Sequence, residues 1–244
     1  EGVDFKGALK TLAEKAGVEL TPERPEVRDE RDRVYAALTA AAEYYVTELQ
    51  KTPTAAEYLT KRGVNEKTIT SWQLGYAPGP PQGGWRELRT HLGSAGHTDA
   101  TLLKAGLIKS AGEGKEPYDV FRDRVVFPLF DSSGRVVAFS GRILSSDSEA
   151  PKYVNSPETD VYKKSQLLYG FHAAKQGIRQ YDFTLLVEGQ FDVVLCHQAG
   201  YTNTVAVSGT ALTPEHLRQI ERLSTRAVLA LDSDRAGIAA SKRA

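Results

Sequence analysis

The chain has 244 residues, enough for one large domain or two modest ones, and its 41% hydrophobic and 25% charged content is that of an ordinary globular protein. Thirty-one Lys and Arg balance thirty-one Asp and Glu, which excludes a uniformly basic DNA-coating protein and a solvated acidic tail but not a local basic groove. The single cysteine, Cys196, excludes an intrachain disulfide and a CxxC zinc site within these residues, and no apolar run approaches the ~20 residues that span a bilayer.

Taken in chain order, the start EGVDFKGALK is amphipathic and charged, unlike a signal peptide. Phe5, Ala8, Leu9, Leu12 and Ala13 recur at helical spacing before Gly17, so residues 1–20 are expected to form a short helix. Thr21 to Glu30 is polar with two prolines and reads as a linker. From about 31 to 110 the pattern is mostly helical. Val34, Leu38, Ala41, Ala42, Tyr45 and Leu49 form one apolar stripe, and Tyr58, Leu59 and Val64 continue it beyond Pro53. Pro78, Pro80, Pro81, Gly83 and Gly84 break the chain before a further helix around Trp85–Leu92.

From about 119 the period changes to two. VVFPLF, the turn Asp131-Ser132-Ser133-Gly134 and RVVAFSGRI read as a β-hairpin, with Pro128 placing its strand at an edge or at a bulge. Residues 145–165 are polar and irregular. Beyond 166, strands FTLLVE (183–188), TVAVSG (204–209) and AVLALD (227–232) alternate with helices through VVLCHQAG and from Thr213. Thr213-Pro214-Glu215 supplies an N-cap, a proline at the first helical position and an acid in the first turn. Short apolar strands alternating with helices indicate a parallel sheet and an α/β fold. The chain contains no methionine and stops at AGIAASKRA inside a helical pattern, so it reads as a piece of a longer protein.

Two acidic motifs follow buried strands. Glu188 comes directly after LLV, with Asp192 one turn into the next helix, and Asp232 and Asp234 flank Ser233 after AVLAL. The carboxyl ends of parallel strands are where open α/β sheets bind ligands. On extended chain Asp232 and Asp234 point the same way, about 6.6 Å apart. Carboxylates gathered in one crevice repel unless protons or a divalent cation neutralise them, and an all-oxygen donor set suits Mg²⁺ or Mn²⁺ rather than zinc. Singly, either motif is also the pattern of a solvated strand–helix turn.

The stretch LLVEGQFDVVLCHQAGYTNTVAVSGTALTPEHLRQIERLSTRAVLALDSDRAGIAASKRA resembles the Toprim domain shared by primases, type IA and II topoisomerases and several nucleases. The segments EGVDFKGALKTLAEKAGVEL, AAEYLTKRGVNEKTITSWQLGYAP, FRDRVVFPLFDSSGRVVAFSGRIL and PKYVNSPETDVYKKSQLLYGF are similar, in order, to the RNA-polymerase domain of bacterial replicative (DnaG-type) primases. The resemblance implies three parts. Residues 1–30 would be a helix and linker following a zinc-binding domain absent here. Residues 31–180 would be an α+β subdomain with a basic groove, and 181–244 a Toprim-type parallel-sheet subdomain incomplete at its C-terminal end. It further implies that Glu188, Asp232 and Asp234 are catalytic and, with Asp192, hold divalent metal, two ions in all and no zinc. The implied activity is synthesis of short RNA primers from NTPs on a single-stranded DNA template. The implied setting is the bacterial cytoplasm at the replication fork, with a replicative helicase as partner through a domain absent here, no membrane, and a monomeric chain.

Charge is segregated along the chain: residues 122–180 hold nine basic groups against six acidic ones, residues 1–60 eight against twelve. Arg122 and Arg124, alternating with Asp123, would share a strand face with Arg142 close by, and guanidinium forks suit phosphate. Lys152 and Lys164 add point charges, and Tyr153 could stack on a base. The resemblance implies that Arg122, Arg124, Arg142, Lys152, Tyr153, Asn155 and Lys164 line the groove where template, product and nucleotide meet. For each, a solvated salt-bridged face is the competing reading.

Other candidates carry less. His172, His197 and His216 are too scattered for a metal site and read as surface or packing residues. Tyr44 and Tyr45 read as core and rim, and Trp72 and Trp85 as core. Ser208-Gly209-Thr210 fits a phosphate cradle or a plain tight turn equally. A Toprim topoisomerase or nuclease, and a single-strand-binding module without catalysis of its own, are the alternative functions. RDRVVFP and PKYVNS argue against the first.

Overall fold

A computed structural model describes residues 25–80, 83–145, 150–209 and 211–231, together with helical positions 8, 12, 13, 15 and 16. The rest of the expected N-terminal helix, including Gly17, lies outside the described residues. The expected linker is shorter than its polarity indicated. Helix α1, Pro25–Lys51, already takes in residues 25–30. Proline is tolerated as its first residue, Glu26 favours the helix N-terminus, and the polar run is the solvated start of a long helix.

The α1 stripe buries Val34, Leu38, Ala41, Ala42, Tyr45 and Leu49. Helix α2 (Pro53–Lys61) follows directly, and α3 (Glu66–Ser71) starts where the Asn65 side chain accepts from the Thr68 amide at 2.8 Å. Strand β1 (Gly75–Ala77), too short to show a period in the sequence, precedes α4 (Glu87–Ser94) and α5 (Asp99–Lys104). A small ribbon pairs β2 (Ile108–Lys109) with β3 (Tyr118–Asp119).

The hairpin forms as its pattern predicts, from β4 (Arg124–Phe130) and β5 (Val136–Ile143). Its turn is closed by the Asp131 carboxylate, which accepts from the Ser133 and Arg135 amides, while Gly134 takes the positive φ of 87°. With β6 (Tyr153–Asn155) these strands make an antiparallel sheet in the order β1-β4-β5-β6. Strand β4 is interior only over Arg124–Val126, where β1 pairs with it. Pro128 therefore falls where one neighbour is missing, beside a register shift at Leu129/Phe130, so its absent N–H costs no ladder bond.

A 3₁₀ turn at Lys164–Gln166 leads to α6 (Phe171–Tyr181), a helix that glycines at 170 and 177 hide in the sequence. Then β7 (Thr184–Val187), α7 (Gln190–Gln198), β8 (Thr204–Ala206), α8 (Pro214–Glu221) and β9 (Ala227–Leu229) build a parallel sheet in the order β8-β7-β9. The strand alternation divides the helices. Leu186 and Val205 pack with Phe171, Ala174 and Ile178 of α6 and Ile220 of α8. Val187 and Ala206 face the other way, onto Phe191, Val193 and Val194 of α7. That second core also holds Val125, Phe127 and Leu129 of β4, so α7 is wedged between the two sheets. A backbone bridge between Tyr169 and Ala206 ties the chain before α6 to β8.

Candidate active site

Parity along β5 sets one wall of the site. In the β4–β5 register Phe127 stands opposite Ser140 and Val125 opposite Arg142, so Ser140 and Arg142 face the same side as the apolar residues that meet α7. Across β6, Ser140 is opposite Asn155 and Arg142 opposite Tyr153, which extends that face by two side chains. Lys152 precedes Tyr153 at the sheet's edge. The opposing wall is the carboxyl end of the parallel sheet. Glu188 and Gly189 leave β7, Gln190, Phe191 and Asp192 open α7, and Ser208-Gly209 turns out of β8. Between the walls lies a cleft of about 330 Å³ lined by Arg62, Arg142, Lys152, Tyr153, Asn155, Glu188 and Asp192, among others.

Arg142 is held before any ligand arrives. Its guanidinium lies 5.2, 5.7 and 5.8 Å from the rings of Tyr153, Phe191 and Tyr58. Nη1 donates to Tyr153 Oη at 3.0 Å and Nε to Tyr58 Oη. Burial raises the Tyr153 phenol above its ordinary value, partly offset by Arg142, so it stays a neutral partner. On the acidic side Glu188 is half-buried, while exposed Asp192 accepts from the Gly189 amide at 3.0 Å. Asp192 thus caps α7 with one oxygen and leaves the other for a ligand.

The donor chemistry of this end fits a hard divalent ion. Its ionisable ligating groups are carboxylates, with no His or Cys among the lining residues. Two carboxylates do not complete a site, and among the described residues no three His, Cys, Asp or Glu side chains come together. Asp232 and Asp234 lie outside the described residues. The backbone leading to them is described: β9 runs parallel to β7, and the Ala230 amide donates to the Leu186 carbonyl at 2.8 Å, so the chain reaches Leu231 at the end of the sheet that carries Glu188.

The structure separates the other basic residues from this cleft. Arg122 and Arg124 do not share a strand face. The strand begins at Arg124, with Asp123 before it at φ +50°, yet both arginines line one cleft. Nor do they join Arg142. Arg124 projects from the opposite face of β4, 5% exposed, and donates to the carbonyls of Gly141 (3.1 Å) and Lys152 (3.4 Å). Gly141 makes room for it, since a Cβ there would stand 3.0 Å from Arg124 Cδ and 2.6 Å from Phe121. Arg122 lines a second cleft, of about 430 Å³, where its guanidinium sits 4.4 Å from the Trp85 ring and 5.0 Å from that of Tyr118. Lys164 reaches neither cleft. It lies on the 3₁₀ turn, its amide donating to Glu158 and its carbonyl facing His216 Nε2 at 3.3 Å.

Several residues of the two clefts escaped sequence reasoning. Trp85, expected in the core, is 54% exposed and packs edge-on against Tyr118. It precedes α4 instead of standing on its apolar stripe, which begins at Leu88. Arg62 and Tyr58 carry no local signal, because only the packing of α2 on α7 brings them to the cleft. Ser140 was legible in principle from its even spacing to Arg142. Trp72 is buried as expected, Tyr44 and Tyr45 are both core, and His216 is fully buried.

Asp119 supports the second cleft from below. It is 1% exposed, and its carboxylate accepts from the first α4 amides, Leu88 at 2.9 Å and Arg89 at 3.0 Å. Its own amide donates to the Trp85 carbonyl at 2.9 Å, and its carbonyl accepts from Arg122. Burial pushes its carboxyl up to about 6 against the pull of those two amides.

Comparison with known proteins matches residues 44–175 to the model of the DNA primase catalytic core, N-terminal domain, and residues 182–244 to that of the Toprim domain. A DNA primase of Pseudomonas putida is 39% identical over 253 residues, covering 100% of this chain and 37% of that protein. The chain thus spans well under half the length of that relative. The crystal structure of the RNA polymerase domain of Mycobacterium tuberculosis primase DnaG superposes with a TM-score of 0.79 at 37% identity, over 87% of this chain and 70% of that one. A DnaG primase catalytic domain bound to ssDNA gives 0.77 at 35% identity, over 88% and 66%.

Proposed function

The chain belongs to the DNA primase catalytic core family, and on that premise we propose that it is the polymerising part of an enzyme that makes short RNA primers on single-stranded DNA. The observation that carries the reading is the single cleft in which Arg62, Arg142 and Lys152 face Glu188 and Asp192. Phosphoryl transfer asks little covalent chemistry of a protein and much positioning and charge. Arg142, clamped by three aromatic rings, offers a guanidinium whose entropy is already lost, and Lys152 and Arg62 add charge for a triphosphate. Glu188, with Asp192 and the Asp232/Asp234 pair, would hold Mg²⁺ or Mn²⁺. Divalent ions so held would supply activation of a primer 3′-hydroxyl and neutralisation of charge on a departing pyrophosphate.

A stretch of the template strand away from the base being copied is assigned to the second cleft. Exposed Trp85 offers a base a stacking face, and Arg122 beside it meets the backbone phosphate. The catalytic domain of similar sequence bound to ssDNA supports a single strand as ligand. NTPs, the RNA product, a replicative helicase as partner and a cytoplasmic setting at the fork follow from the same family reading.

The test is primer synthesis by the full-length protein on single-stranded DNA with NTPs and a divalent ion. Glu188→Gln should reduce the rate about a hundredfold or more while thermal melting is kept. An unchanged rate, or nicking of DNA without nucleotide incorporation, would sink the proposal.

A further inference from the structure

Three buried polar atoms of residues that line the active-site cleft have no hydrogen-bond partner among the described residues: Ser140 Oγ, Asn155 Oδ1 and Ser208 Oγ. Such atoms are uncommon in folded proteins and cluster where a ligand or an ordered water belongs. Ser140 and Asn155 are directly opposite on neighbouring strands and project from the same face. Ser208 approaches from the parallel sheet, and its carbonyl accepts from Asn155 Nδ2 at 3.4 Å. Among the described residues the Asn155 side chain makes one hydrogen bond, and a long one.

The chemistry of the three atoms narrows what they read. Asn155 Oδ1 can only accept, so it matches a hydroxyl and not an ionised phosphate, for which Arg142 and Lys152 stand close by. In a nucleotide whose phosphates meet those cations, the adjoining group is the sugar. Template-directed copying admits four different bases, so fixed polar groups of the protein serve best on what all four nucleotides share. Asn155 Oδ1 is an acceptor without a donor, and a 2′-hydroxyl is the donor that a ribonucleotide has and a deoxyribonucleotide lacks.

We propose that Asn155, with Ser140 behind it and Ser208 across from it, is the group by which this cleft distinguishes ribonucleotides from 2′-deoxyribonucleotides. The inference rests on the primase reading above. A ribonucleotide satisfies the buried acceptor, whereas a deoxyribonucleotide leaves it unpaired, which is the arrangement that yields strong discrimination against the analogue lacking the hydroxyl.

The experiment compares kcat/KM for NTPs and dNTPs in extension of an annealed primer by the full-length protein. In Asn155→Leu, similar in size but without polar atoms, the NTP to dNTP ratio should fall about tenfold or more, and in Ser140→Ala by a smaller factor. Asn155→Gln, which keeps the amide, should restore part of the ratio. Equal losses on both nucleotides in Asn155→Leu, or an unchanged ratio, overturn the proposal. Should Asn155→Leu melt early, Ser140→Ala and Ser208→Ala carry the same comparison, and an unchanged ratio in both overturns it equally. An unsubstituted protein that extends with both nucleotides equally defeats this inference alone. One that incorporates neither defeats the primase reading and the inference with it.

Discussion

At the scale of single residues, the same side-chain type serves unlike purposes around one hairpin. Arg142 is displayed to a cleft, Arg122 lies between two aromatic rings, and Arg124 is buried on backbone carbonyls. Arg124→Ala should therefore cost thermal stability first, because it empties a packed site and removes the guanidinium's bonds to two carbonyls. His172 gives a sharper prediction. Its ring packs on Phe130 and Trp72, its Nδ1 is buried without a partner among the described residues, and burial, with His197 and Lys175 nearby, lowers its pKa from 6.5 to about 4. The unfolded chain takes up this proton near pH 6.5 and the native protein only near 4, so stability is lost as pH falls through that interval. His172→Phe should stabilise by about 1 kcal/mol at pH 7 by removing the orphan atom. Its advantage should widen as pH drops toward 5, checked by chemical denaturation at both values. A constant difference across pH would contradict the assignment. Asp119, with its pKa raised to about 6, contributes the opposite slope between about 4 and 6, which cancels when variant and parent are compared.

At the scale of elements, the decisive contacts are close crossings. Helix α1 lies on β1 where Gly75 meets Tyr45, and a Cβ at 75 would stand 2.5 Å from Tyr45 Cβ and 2.6 Å from its backbone carbon. Backbone cannot rotate aside, so α1 or the sheet would have to move. Gly75→Ala is expected to destabilise by about 1–3 kcal/mol, a fall in Tm of about 2–4 °C per kcal/mol for a chain of this size. A melting curve unmoved by the substitution would show that the crossing is looser than its geometry. Because β1 pairs with β4 at Arg124–Val126, the same variant should disturb the sheet near Arg124 before it affects the parallel sheet.

At the scale of the whole molecule, zero net charge conceals a basic cleft and a cleft in which cations face carboxylates, on opposite faces of one sheet. Single-strand binding should weaken steeply with salt, and Arg122→Ala should lower the slope of log K against log salt by about 0.7, the share of one phosphate contact. Trp85→Ala should instead lower affinity by roughly 1–3 kcal/mol, with the slope kept, since stacking releases no counterions. If Arg122→Ala leaves the slope unchanged, the guanidinium is committed to Trp85 and Asp119 and the template lies elsewhere.

Some of this was decided locally and was legible in the chain. The hairpin around Asp131–Gly134, the alternation that produced a parallel sheet, the Thr213 cap and the placement of Glu188 after a buried strand each depend on a few neighbouring residues. The acidic motifs, together with the RDRVVFP and PKYVNS segments, likewise pointed to the family because their order survives in one dimension. What the chain could not reveal is which residues meet across elements. Alternation tells that Arg142 and Ser140 share a face, but not that α7 and Glu188 lie over it. The β4–β5 register put Arg124 on the opposite side from Arg142, in one cleft with Arg122 and Trp85. Patterning is short-ranged, whereas a cleft is made by segments as distant as Arg62 and Gly209, and only packing brings those together.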